Sequence, residues 1–124
     1  MKHINSKNAP AAIGPYSHAV ISGALVFTSG QIPLSPETAE IAGSDIAEQT
    51  RQVMKNLSAV LEAAGSSMDR VVKTTCFLSD MGDFAGFNEI YGEYLKMNPA
   101  RSCVAVKTLP KNVLVEVEAV AEIG

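Results

Sequence analysis

The sequence predicts an α+β domain with two helices packed on one face of a mixed sheet, and three observations predict it. Apolar β-prone runs and stretches of helical spacing follow one another in the order β-β-α-β-α-β-β. The length of 124 residues suits one domain, residues 1–124, with one modest core. Hydrophobic residues make up 47% of the chain and charged residues 19%, a balance that excludes disorder.

The elements follow in chain order. His18–Ser22 and Ala24–Thr28 read as a strand pair punctuated by Ser22-Gly23. Proline and glycine crowd residues 30–43, which should be loop with a short extended piece. Ser44 is the expected N-cap of a helix, with Asp45 and Glu48 at its positive end. Ile46, Thr50, Val53, Leu57, Val60, Leu61 and Ala64 then recur at helical spacing, and Gly65 supplies the left-handed stop. Arg70–Leu78 is β-branched. Asp83 is the expected cap of a second helix, whose apolar stripe is Phe84, Phe87, Tyr91 and Leu95, and Pro99 ends it. Arg101–Lys107 and Val113–Ile123 read as the last strands, joined by a turn at residues 109–112.

Composition narrows the function classes. A net charge of −3 with singly scattered lysines and arginines argues against a nucleic-acid partner. No stretch has the length of a membrane span, and the N-terminus has no apolar signal core, so a cytoplasmic protein is expected. Cys76 and Cys103 lack CxxC spacing and are expected to be free, buried thiols. With only His3 and His18 and no clustered carboxylates, the residues suggest neither a metal nor a cofactor. The strands are apolar on both faces, Leu25 and Phe27 alternating with Val26, while helices can cover only one. A second copy of the chain should cover the other, making a homo-oligomer.

Few residues suggest chemistry unaided. Alternation sets Arg101, Cys103 and Ala105 on one face of their strand, so a guanidinium there could grip a small carboxylate or simply be a surface charge. Leu114, Glu116, Glu118 and Val120 share a face in the last strand, either as solvated surface or with one carboxylate in a cleft. No histidine has a reason to sit beside Cys103 and activate it. The loops Gly14-Pro15-Tyr16-Ser17 and Thr28-Ser29-Gly30-Gln31 match no phosphate-binding fingerprint.

Five strings carry more: APAAIGPYSHAV, FTSGQIP, KTTCFLSDMGDFAGFNEIY, PARSCVAV and LPKNVLVEVEAVA. In this order, across nearly the whole chain, they resemble the reactive intermediate deaminase (Rid/YjgF) family. The resemblance implies a chorismate-mutase-like fold assembled as a barrel-like homotrimer with clefts between subunits. It also implies a hydrolase that detoxifies 2-iminobutanoate and 2-iminopropanoate, converting these small 2-imino acids to 2-keto acids and ammonia without a cofactor. Carried over residue by residue, Arg101 binds the substrate carboxylate and Glu118 positions the water. The Cys103 backbone N–H assists Arg101, the Gly30 carbonyl faces the imine nitrogen beside Ser29, and Tyr16 and Asn88 line the pocket. The role of Glu116, on the face of Glu118, stays open.

Two features depart from the family pattern. The segment YLKMNP before Ala100 is shorter than in many relatives, and His18 carries no catalytic role. The alternative function is a non-catalytic trimer of the same fold that binds keto or imino acids. A ribonuclease fits the acidic charge poorly.

Overall fold

The structure, a computed structural model, describes residues 1–124. Strands β1 (Lys2–Ile4), β2 (Ala19–Ser22), β3 (Leu25–Thr28), β4 (Val71–Leu78), β5 (Ala100–Ala105) and β6 (Val115–Glu122) form one sheet in the order β1-β2-β3-β6-β4-β5. Helices α1 (Ile46–Ala63) and α2 (Phe84–Tyr94) complete the α+β architecture. All neighbouring strands pair antiparallel except β4 and β5. That pair is parallel because the chain returns through α2, the crossover a parallel pair requires. The two final strands are therefore no hairpin: β6 inserts between β3 and β4 and leaves β5 at the edge.

Local chemistry explains most boundaries. Gly23, at φ 63°, turns β2 into β3, and Gly65, at φ 83°, ends the α1 turn. The cap of α1 is Asp45, not Ser44: its backbone is extended and its carboxylate accepts the Glu48 N–H at 2.8 Å. Ser44 instead meets the Glu48 carboxylate through its own N–H. Asp83 makes no capping bond either. A 3-10 turn over Met81–Asp83 leads into α2, and Asp80 caps that turn by accepting the Gly82 N–H at 2.7 Å. Strand β1 had no signature in the sequence, since three residues pairing with β2 show no period.

The core lies between the sheet and the helices. Val53, Leu57, Val60 and Leu61 of α1 and Phe87 of α2 are fully buried against Val26, Cys76, Leu78, Val115 and Val117. Alternation leaves the other sheet face without a covering layer, and Phe27 and Val104 there are 45% and 47% exposed. The loop after β3 is tied to the body at two points. Its Gln31 exchanges backbone hydrogen bonds with Val117, and the buried Asn56 of α1 donates to the Ile32 and Leu34 carbonyls. No helix is long and apolar enough to cross a membrane.

Candidate active site

Strand register decides which way each candidate side chain points. Arg101 pairs with Thr74 and Cys103 with Cys76, and both β4 residues are buried beneath the helices. Arg101 and Cys103 therefore face α2. There the Asn88 side-chain Oδ1 accepts a hydrogen bond from Arg101 Nη1 at 2.7 Å. The guanidinium carbon lies 4.9, 5.4 and 6.0 Å from the ring centres of Tyr91, Phe84 and Phe87. The chain's single ion pair, Arg51–Glu93, is elsewhere. Arg101 is thus a half-buried cation held by aromatic faces and one amide, with donors left over and no carboxylate of its own.

Cys103 contributes through its backbone. Val106 donates its N–H to Leu78 across the β4–β5 pair. Strand alternation then directs the Ser102 and Val104 amides to β4 and those of Arg101 and Cys103 to the free edge. The Cys103 thiol is partly exposed, contrary to the expectation of burial, because β5 is an edge strand. Its pKa is still raised by desolvation despite the opposing pull of Arg101, and both cysteines are free. A thiol so placed is a poor nucleophile.

A second group gathers around Gly30 on the other side of the sheet. Glu116 pairs with Phe77 and Glu118 with Thr75, positions that alternate with the buried Cys76, so both carboxylates project from the helix-free face. Gly30 packs so closely on Glu116 that a Cβ would collide with the carboxylate, and the Gln31–Val117 backbone pairing holds it there. Burial, and secondarily the charge of Glu118, raises the pKa of Glu116. Glu118 is exposed. Ser29 Oγ donates to the Ser17 carbonyl at 2.6 Å, and Tyr16, 49% exposed, lines a small pocket with Gly30, Gln31 and His18. The buried His18 ring contacts the Ser6 N–H and the Pro10 carbonyl, a structural role.

The sequence-derived residues thus fall into two clusters: Arg101, Asn88 and Cys103 on the helix side, and Tyr16, Ser29 and Gly30 on the other, where Glu118 also projects. One chain does not bring them together. Sequence reasoning assigned Phe84, Phe87 and Tyr91 only to an apolar stripe. Their signal was available, since Asn88 lies four residues from Phe84 and three from Tyr91, on one helical face. No group of three or more His, Cys, Asp or Glu side chains could hold a metal ion.

A model of the endoribonuclease L-PSP family matches residues 6–123. The chain belongs to this family, the Rid/YjgF proteins. Within it, the chain is 54% identical to a proposed regulator, AldR, of Lactococcus lactis, over 99% of this chain and 98% of that protein. It is 48% identical to the 2-iminobutanoate/2-iminopropanoate deaminase of Escherichia coli, over 97% and 96% of the two chains. The solved structure of E. coli TdcF with bound serine superimposes with a TM-score of 0.95 at 44% identity, covering 100% of both chains. The Rid family's α+β fold accordingly matches the one described above.

Proposed function

We propose that this Rid-family chain hydrolyses small 2-imino acids to 2-keto acids and ammonia. The observation that carries the reading is Arg101, a guanidinium without a counter-ion, framed by three rings and Asn88 at a free strand edge. Such a group suits a small carboxylate bound through paired charged hydrogen bonds. A deaminase of these substrates among the relatives supports the same chemistry.

In this reading Arg101 and the Cys103 amide hold the carboxylate and place C2 for attack, an effect of orientation. Glu116, in preference to Glu118, orients the water: it is the carboxylate against Gly30, and its raised pKa suits an acid–base group. Water adds to C2 of the protonated imine as Glu116 takes its proton, giving a carbinolamine. Glu116 then returns that proton to the nitrogen, and ammonia leaves as the hydroxyl loses its proton to become the keto group. Tyr16, Ser29 and Gly30 line the nitrogen side.

Since the two clusters project from opposite sheet faces, the complete site needs a second copy of the chain. The exposed Phe27 and Val104 give that copy an apolar surface to cover, and a homotrimer with three shared clefts is the assembly proposed. The test couples threonine dehydratase to threonine and traps the imine with semicarbazide. The wild-type chain should divert the imine to free 2-ketobutanoate, and Arg101→Ala should lose about 100-fold or more in kcat/KM. Unchanged partition with wild-type chain defeats the deaminase reading. Tight binding of a 2-keto acid without turnover would then favour a ligand-binding regulator, the role suggested by the name of the Lactococcus relative.

A further inference from the structure

We propose that Tyr91 and Thr74 form a positioning pair that holds Arg101 in its carboxylate-binding pose before substrate arrives; the catalytic meaning of this rests on the function proposed above. Thr74 is the strand neighbour of Arg101, in register on β4 and fully buried. Its hydroxyl lies 2.7 Å from the Tyr91 hydroxyl, a bond sealed in the core. Of the three rings around the guanidinium, that of Tyr91 is nearest, at 4.9 Å. Phe87 braces it from the side, at 5.4 Å between ring centres and a 47° tilt.

Packing alone does not call for this polar pair. A phenylalanine and a valine would fill the same space without burying two hydroxyls, so the bond must provide something shape does not. What it provides is a fixed ring. The phenol is tied at its far end to the strand beside Arg101, which stops the ring sliding along the sheet and keeps its face toward the guanidinium. Asn88, three residues earlier on the same helix, holds Nη1. One helix therefore fixes the cation at two points, through a face and an acceptor. A long, flexible side chain held this way loses less freedom when a carboxylate binds.

The experiment compares Tyr91→Phe, Thr74→Val, Thr74→Ser and the Tyr91→Phe/Thr74→Val double variant. KM for 2-iminobutanoate and Kd for 2-ketobutanoate should rise roughly three- to tenfold in Tyr91→Phe and Thr74→Val, with kcat within about twofold. Thr74→Ser, which keeps the hydroxyl, should restore wild-type values. The double variant should be no worse than either single one, because both break the same bond. Guanidinium resonances of Arg101 in 15N-arginine-labelled protein should be slowed in the wild type and averaged in Tyr91→Phe. Unchanged affinity in both single variants, additive losses, or equal Arg101 mobility in wild type and Tyr91→Phe would each overturn the pair. The resonance measurement needs neither turnover nor ligand, so it tests the positioning even where the deaminase reading fails.

Discussion

Glu116 sits where its surroundings oppose its charge. Burial comes first and the neighbouring Glu118 second, and both raise its pKa. A carboxyl with a raised folded-state pKa favours folding below its ordinary range, and that contribution is lost as pH rises through the raised value. Glu116→Gln should therefore be more stable than the parent at neutral pH and match it in acid, as thermal denaturation at several pH values will show. The proposed base works only when ionised, so kcat/KM should rise with pH through an acid limb above the usual carboxylate range. Removing the like charge in Glu118→Gln should move that limb to lower pH while keeping turnover; Glu116→Gln should lower kcat about 100-fold or more. If the pH profile instead keeps its limb in Glu116→Gln and turnover collapses in Glu118→Gln, the two residues exchange roles. Gly30→Ala probes the same contact, since its methyl must displace the Glu116 carboxylate; kcat should fall with little change in KM. At this scale the sequence showed both glutamates on one face through simple alternation. Alternation alone did not rank them, and the family resemblance pointed to Glu118; the proposal prefers Glu116 because of its contact with Gly30, a residue far away in the chain.

Elements hold these residues through a few directed bonds. The α1 cap at Asp45 is local, so Asp45→Ala should cost about 1 kcal/mol in urea unfolding and leave the coupled assay unchanged. Asn56 works at longer range, joining α1 to the loop that carries Gly30. Asn56→Leu removes the only hydrogen-bond donor to the Leu34 carbonyl and one of two to that of Ile32. It should cost roughly 1–3 kcal/mol and also lower activity, because the loop loses its tie. An equal destabilisation with full activity would show that the Gln31–Val117 pairing alone positions Gly30. Helix spacing and a glycine stop were legible in the chain. Asp45 displaced Ser44 as cap because the carboxylate one residue later reached the Glu48 amide, a choice of backbone entry angle that residue preference leaves open.

The whole molecule decides whether the two clusters ever meet. If each cleft combines Arg101 of one copy with Glu116 of another, the inactive variants Arg101→Ala and Glu116→Gln should restore part of the activity when co-expressed. Mixed oligomers then contain some clefts with both wild-type halves. Absence of complementation in demonstrably mixed oligomers would place the reaction within one chain. Sedimentation should give a trimer, and Val104→Glu or Phe27→Glu, each placing a charge on the exposed sheet face, should dissociate it and abolish turnover together.

By itself, the sequence determined the α+β class, both helices, the facing of Arg101 with Cys103, and an excess of apolar strand surface. These depend on periods of two and 3.6 residues and on short-range turn chemistry, which any chain displays along its own length. Only the tertiary structure decided that β6 lies between β3 and β4, that three rings frame Arg101, that Gly30 presses on Glu116, and that the two candidate clusters lie on opposite faces. Each of these is a meeting of segments distant in sequence. Such meetings are set by strand order and by which face the helices cover, and no local pattern encodes them.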